Sequence, residues 1–390
     1  VVTLNEPART DVGQITLVGN LGTNQTITIP SPNVTFSADR KTVTIKAEGF
    51  FVSEELVTVT VSGIEHQYCG SVFPTKTWTF SAPTTPCTPG LDGLNGGRIS
   101  RIPIPAAGSM ITEYYVAADA DPNGWVYAGG TSALLRTRKD GSAFENVGAA
   151  AGLGTAELGY TMVIDGPNIY VFKGTTSDPT VTTGLVHRIS ADGGASWEKV
   201  DMATFPSVPG DDIRGAAVHG GAMFLITHEN THANPTNIWS FDLAATPPAT
   251  ATLVQSFGAN TYSYCAGLAV DASAFFTACR NGSTTSSPFK LIRIDRATGA
   301  ITEVAQVPGN TSAMAVHAGD KNGDGLADYL YFQEDVEEGY FVCSPHAAAP
   351  WSSKLFDFGG GTANYGLGFD PVGNVLWAVD DDTREFVKIQ

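Results

Sequence analysis

Asp320-Lys-Asn-Gly-Asp-Gly-Leu-Ala-Asp328 puts oxygen-bearing side chains at Asp320, Asn322, Asp324 and Asp328, with Gly325 directly after the third of them. Alternate residues of a tight loop point inward, and a glycine permits the sharp bend. Ca²⁺ is a hard cation that takes six to eight oxygen ligands, so four spaced oxygens and the Leu326 carbonyl make a candidate set. An Asp/Asn/Gly turn without metal is the alternative. The flanks, Ala313-Met-Ala-Val316 and Tyr329-Leu-Tyr-Phe332, are strand-like, so the loop joins two strands rather than two helices.

The glutamate that closes an EF-hand loop at its twelfth position is absent, and Tyr331 stands there. The pattern D-x-N-x-D-G-x-x-D is met at every position and resembles the FG-GAP/VCBS loops of integrin-like β-propellers. The resemblance implies a structural Ca²⁺ held by Asp320, Asn322, Asp324, Leu326 and Asp328.

Working outward from this loop, residues 97–390 show a repeat. Each unit has an apolar strand, a polar turn, a second strand, a variable loop, a third strand, a tight turn and a fourth strand. The first strands begin near Tyr114, Tyr160, Ile213, Tyr264, Ala313 and Tyr365. A spacing of roughly 50 residues suits four-stranded propeller blades. The last unit holds only three strands, ending at Glu385-Phe-Val-Lys-Ile389. Arg98–Ile104 is expected to supply the fourth, which closes a six-bladed β-propeller and removes an open edge. Ser190-Ala-Asp-Gly-Gly-Ala-Ser-Trp197 resembles the Asp-box of sialidase-like propellers, with Thr137–Phe144 as a degenerate copy. In those families the motif is architectural.

Residues 1–82 alternate Thr and Val with period two at Gln25–Ile29, Thr42–Ala47, Leu56–Val61 and Thr75–Phe80, which reads as an all-β sandwich. The runs Val34–Ile45, Val57–Gly63 and Thr77–Phe80 resemble bacterial Ig-like (Big-type) domains. The first strand of such domains is expected to be missing before Val1, so the chain is trimmed or another segment supplies it. The latter would permit self-assembly through the Ig-like domain. Residues 83–96, rich in proline and glycine, read as a linker.

Composition narrows the partners. The 390 residues carry a net charge of −17, which opposes nucleic acid, because phosphate binding needs a basic surface. There is no 18-residue apolar run to span a membrane. The five cysteines form no C-x-x-C pair and favour an oxidising compartment. Cys265 and Cys279 flank a strand-turn-strand segment and fall opposite each other, so they are expected to pair. Cys69 and Cys87 could pair near the end of the first domain, which would leave Cys343 over; the sequence leaves the pairing of these three open. No signal peptide is visible, which fits a processed or trimmed chain.

Function is expected at the end of the propeller that carries the long loops, since binding residues concentrate on loops over a rigid scaffold. The starts of the innermost strands offer Tyr114, Tyr160, Arg214, Tyr262, Tyr264 and Tyr365 as a ligand-binding set for a glycan or protein. Tyrosines can stack on sugar rings, or they can simply pack between blades. Arg214 could grip a carboxylate. His228-Glu-Asn-Thr-His232 has the spacing of a zinc-protease helix but follows a strand and precedes Pro235, which argues against that helix. Arg101 lies in Ser-Arg-Ile-Pro, similar to the substrate-gripping segment of sialidases, but on the expected outermost strand. The acidic runs Glu334–Glu338 and Asp380–Asp382 are a second cation site, an acidic patch or a solvated face. The sequence therefore reads as a secreted or cell-surface, calcium-binding propeller acting in binding, adhesion or surface assembly, rather than an enzyme. The alternative is a propeller hydrolase or lyase acting on acidic carbohydrate.

Overall fold

The computed structural model describes the chain apart from residues 1, 21–23, 32–33, 46–55, 82–98, 106–116, 121–122, 131–132, 155–158, 160, 174–180, 208–211, 229–234, 258–261, 282–288, 307–312, 321–322, 335–337, 348–349, 358–366, 371–374, 381–383 and 390. The described residues form strands and turns, with no helix among them. The chain divides into two compact units, Val1–Thr88 and Pro89–Gln390.

In the first unit, Asn24–Thr28, Gln14–Gly19, Leu56–Ser62 and Lys76–Ser81 form one antiparallel sheet in that order. Val2–Thr3, Thr42–Ile45 and Val34–Phe36 form a second. Alternation sets the faces: Val57, Val59 and Val61 point inward while the threonines between them point out, as a half-buried strand requires. Ile15, Leu17, Ile27 and Val43 complete the core between the sheets. The four strands expected here are present within a residue or two. Three more join them: Val34–Phe36, which pairs with Thr42–Ile45, and two at the start of the chain. Gln14–Gly19 is the centre of the larger sheet, and Val2–Thr3 pairs with Val43 and Thr42. These two are short or carry few inward apolar residues, so their local signal is weak.

The second unit holds six four-stranded antiparallel sheets among the described residues. Sheet I is Ala117–Ala120, Trp125–Gly130, Ala133–Arg138 and Phe144–Asn146. Sheet II is Met162–Asp165, Asn168–Phe172, Val186–Ser190 and Val200–Asp201. Sheet III is Asp212–His219, Ala222–His228, Thr236–Asp242 and Thr252–Phe257. Sheet IV is Tyr262–Val270, Ala274–Asn281, Phe289–Asp295 and Ile301–Gln306. Sheet V is Ala313–Gly319, Tyr329–Glu334, Glu338–Cys343 and Trp351–Asp357. Sheet VI is Leu367–Asp370, Val375–Asp380 and Glu385–Ile389, with Ile99–Pro103 as its fourth strand. That last pairing runs from Ile389↔Ile99 to Glu385↔Pro103, where the sequence placed it.

Apolar cores lie between consecutive sheets. Phe172, Met202 and Phe205 meet Leu225, Trp239 and Phe241 between sheets II and III. Phe276, Phe289 and Leu291 meet Leu330, Phe332 and Val342 between sheets IV and V. Val126, Ala128 and Leu135 meet Trp377, Val379 and Phe386 between sheets I and VI. The first strands of successive sheets adjoin, and that of sheet VI adjoins that of sheet I. Across sheets III, IV and V this contact is backbone to backbone. A Cβ on Gly215 would come within 2.6 Å of the Gly267 carbonyl carbon and the Leu268 nitrogen, and one on Gly267 within 2.8 Å of the Val316 nitrogen.

Between sheets V and VI, His317 packs against Tyr331 and Phe369, with ring centroids 6.5 and 5.0 Å away. Burial pushes its pKa from the ordinary 6.5 down to about 4. The unfolded chain therefore takes up this proton before the folded chain does, and stability is lost as pH falls from 6.5 to 4. His317→Phe is expected to flatten that part of the curve of urea midpoint against pH. An unchanged slope would show that His317 is solvated.

Cys265 and Cys279 form the expected disulfide. The expectation for the other cysteines is corrected. Cys69 is free and exposed on an outward turn, its sulfur 3.0 Å from the Ser71 hydroxyl. Cys343 is buried and disulfide-bonded, so it is not the unpaired cysteine. Cys87 lies outside the described residues.

Candidate functional site

In a four-stranded meander the first-to-second and third-to-fourth connections share one end. In the second unit, most side-chain ties between sheets lie at this end, although at the other the Thr236 hydroxyl donates to the Tyr262 carbonyl at 3.5 Å, joining III and IV. Lys139 Nζ lies 2.6 Å from Asp370 Oδ2, joining sheets I and VI. Arg136 Nη1 donates to the Gly194 carbonyl at 2.9 Å, joining I and II, and the guanidinium lies over Trp125 and Trp197. Arg293 Nη1 donates to the Pro345 carbonyl at 3.3 Å, joining IV and V.

The turn after the third strand repeatedly holds an aspartate that accepts from its own backbone. Asp140 accepts from Ser142 N–H, Asp242 from Ala244 N–H, and Asp295 from Ala297 and Thr298 N–H. Asp192 uses both carboxylate oxygens. The Ser196 hydroxyl donates to its Oδ2 at 2.5 Å, while Ser196 N–H and the Ser190 hydroxyl donate to Oδ1. Those donors, the Ser196 hydroxyl foremost, lower its pKa to about 2. Gly193 and Gly194 take left-handed φ of 68° and 76° to close this turn, a conformation that favours glycine.

The loop 320–328 belongs to the same end. Asp320 accepts Gly323 N–H at 2.7 Å and Gly325 N–H at 2.8 Å, and Asp324 accepts Leu326 N–H at 2.8 Å. Both glycines are left-handed. Asn322 lies outside the described residues. Among the described residues, no three His, Cys, Asp or Glu side chains gather into a group that could hold a metal. A carboxylate has about four lone-pair sites, so Asp320 retains capacity beyond its two N–H donors. A cation would still have to draw Asp324 and Asp328 inward.

A feature the sequence did not announce supports this loop. The Asp271 carboxylate, 5% exposed, sits in the first turn of sheet IV. Its Oδ2 accepts Ala327 N–H at 2.9 Å and lies 2.6 Å from His346 Nε2; its Oδ1 accepts Ser273 and Ala274 N–H. Ala272 N–H donates to the Gly325 carbonyl at 2.8 Å. The loop of sheet V is thus buttressed by sheet IV.

The opposite end carries the remaining expected residues. Tyr114, Tyr160 and Tyr365 lie outside the described residues. Arg214, expected as a carboxylate anchor, is ion-paired with Asp212, Nη2 to Oδ2 at 3.0 Å, with side chains 15% and 0% exposed. Tyr262 packs edge-on against Phe257, and its Oη–H pKa is raised by burial. Tyr264 is half-buried and has φ of 51°, uncommon for a bulky residue. The Arg280 guanidinium stands 4.8 Å from the Tyr264 ring centroid and 4.9 Å from that of Phe289. Arg280 lies near the end of the second strand of sheet IV, not at the start of an innermost strand.

Arg101 sits on the outermost strand of sheet VI, paired with Glu385 at 2.9 Å. It is thus removed from the first strands, where a sialidase-like role would need it. His228 ends the second strand of sheet III; residues 229–234, including His232, lie outside the described residues, as do 335–337 and 381–383 of the acidic runs. No helix among the described residues is long and apolar enough to cross a membrane.

No protein-family model and no curated protein matches the chain. Among solved structures it is similar to an auxiliary nutrient binding protein from Bacteroides thetaiotaomicron, at 9% identity and a TM-score of 0.49 over 99% of this chain and 98% of that one. An auxiliary nutrient binding protein from Bacteroides ovatus has 11% identity and a TM-score of 0.47 over 97% and 90%. A mitotic checkpoint complex chain has 10% identity and a TM-score of 0.42 over 100% and 98%. Likenesses this loose say nothing of what the chain binds.

Proposed function

We propose that the chain is a secreted or cell-surface binding protein whose second unit is a six-bladed β-propeller and whose first is a bacterial Ig-like sandwich. Six four-stranded sheets with adjoining first strands, and the pairing of Ile99–Pro103 with Glu385–Ile389, support the propeller. The observation that carries the functional reading is the difference between its two ends. One is tied sheet to sheet by Lys139, Arg136, Arg293 and Asp271. The other gathers Asp212, Arg214, Tyr262, Tyr264 and Arg280 at the rims of sheets III and IV. A stiff scaffold with chemistry at one rim is the arrangement of a binding module. Its ligand is a glycan or a protein, and adhesion or surface assembly is the setting. Screening the whole chain against glycans and polysaccharides tests this. Binding should be lost on Tyr264→Ala and kept on Lys139→Ala; dependence on Lys139 alone would reverse the assignment of the ends.

Calcium is the proposed structural cofactor, held by Asp320, Asn322, Asp324, Asp328 and the Leu326 carbonyl. The D-x-N-x-D-G-x-x-D pattern and the curled Asp320–Gly325 turn support it. A ligand of the folded state alone stabilises it by mass action, about 2.7 kcal/mol at a hundredfold excess over Kd. Excess chelator should therefore lower Tm, and Asp324→Ala should abolish the response while leaving ligand binding at the other end intact. A Tm indifferent to calcium would remove the cofactor from the reading.

A further inference from the structure

A half-buried arginine normally finds a carboxylate, and this chain offers 39 acidic residues against 22 basic ones. Among the described residues Arg280 makes no ion pair or hydrogen bond, and its Nε is shut from solvent without an acceptor. It is held instead by two aromatic rings, Tyr264 and Phe289. Cation–π contacts of this kind favour the guanidinium and fix its plane without neutralising it. The terminal nitrogens are left as a rigid fork, the geometry that meets a planar carboxylate with two parallel hydrogen bonds.

The surrounding backbone is built to hold this pair still. In the first two strands of sheet IV the register shifts between Ser263↔Arg280 and Ala266↔Ala278. Tyr264 and Cys265 together therefore face Cys279, as in a β-bulge. That bulge puts Tyr264 at its left-handed φ of 51°. The disulfide joins Cys265, the residue after Tyr264, to Cys279, the residue before Arg280. Both cysteines are buried in the core facing sheet III, while Tyr264 and Phe289 pack in the core shared with sheet V. A covalent bond thus lies directly behind the aromatic clamp. Strained backbone and bulges persist where something over-determines them, and they cluster at ligand clamps.

We propose that Arg280, clamped by Tyr264 and Phe289 and backed by the Cys265–Cys279 disulfide, anchors the carboxylate of an acidic small ligand. The proposal rests on the reading of this rim as the binding end and names the chemistry it takes. The net charge of −17 repels long polyanions from a distance, so a single carboxylate fits better than a polyanionic chain.

The test is titration of the whole chain with glucuronate, acetate, glucose and sulfate at constant ionic strength, followed by calorimetry and by the side-chain NMR signal of Arg280. Glucuronate and acetate should produce a saturable shift, and glucose none. Arg280→Gln should weaken glucuronate binding by about tenfold or more, and Arg280→Lys nearly as much, because an ammonium cannot present the fork. The Cys265→Ala/Cys279→Ala double variant should weaken it too, under conditions where circular dichroism shows the fold retained. Sulfate binding as tightly as carboxylate would overturn the ligand class. Glucuronate binding undiminished in Arg280→Gln or Arg280→Lys would overturn the anchor. No saturable shift with any carboxylate would also overturn it, while glycan capture by the whole chain, if it persisted, would leave the binding-end reading standing.

Discussion

Gly267→Ala is expected to destabilise the second unit by about 2–5 kcal/mol, read as a lower urea midpoint at unchanged slope. Two effects add. Gly267 has φ of +67°, and an L-residue there costs roughly 1–2 kcal/mol. Its new methyl would also meet the Val316 nitrogen at 2.8 Å and the Ala315 Cα and carbonyl carbon at 3.0 Å. These are backbone atoms of a neighbouring first strand, so no side chain can rotate away. Two controls separate the causes. Gly220→Ala has a left-handed φ of 60° with nothing within 4 Å and should show the conformational cost alone. Gly215 has no positive φ, but its Cβ would come within 2.6 Å of sheet IV backbone, so Gly215→Ala should show the steric cost alone. If Gly267→Ala matched Gly220→Ala, the first strands would not be in backbone contact.

Asp271→Ala is expected to cost a similar amount, about 3–5 kcal/mol, because it strips acceptors from groups that cannot reach water. The N–H groups of Ala274 and Ala327 are buried, and that of Ser273 is partly so. The loss should fall on sheets IV and V together, since Ala327 belongs to the loop of sheet V. Hydrogen exchange of the Ala327 amide is the direct readout, and continued protection in Asp271→Ala would show that another acceptor carries it. Asp271 also sets a pH limb. Burial pushes its carboxyl up, but the Ala327 N–H, His346 and the Ser273 and Ala274 N–H groups outweigh this and hold it below the ordinary 3.8. A depressed carboxyl contributes stability that is fully present above the unfolded value and lost as pH falls through the folded one. The contribution therefore fades below pH 3.8, a lower window than that of His317, and the two variants should flatten different parts of the acid curve.

Much of the second unit was legible because its signals are local. Strands of alternating or continuous apolar residues, each closed by a turn of Asp, Gly and Ser, recur at nearly even spacing. Asp192 and Asp295 find their donors within four residues, so composition alone locates those turns. The disulfide was legible for the same reason: Cys265 and Cys279 lie on adjacent strands of one hairpin. The closing strand could be inferred because a three-stranded last unit leaves an edge that Ile99–Pro103 can cover. The strand Gln14–Gly19 was missed because Ile15 and Leu17 alone mark its inner face.

The candidate site was less legible, because partners distant in sequence decide it. Arg214 looked like an anchor, yet the bend of its own strand turns it onto Asp212 two residues away. Arg280 carries no motif around it, yet a bulge sixteen positions earlier brings Tyr264 across to hold it. Cys69 and Cys343 exchanged their expected roles, and Asp271 gave no sign that Ala327 and His346 would converge on it. Sequence by itself determined what is set within a turn or a hairpin: the all-β class, the repeat and the Cys265–Cys279 bond. Tertiary structure decided which charges are satisfied, because a carboxylate or guanidinium takes its partner from whichever sheet packs beside it, and periodicity along one strand carries no record of that neighbour.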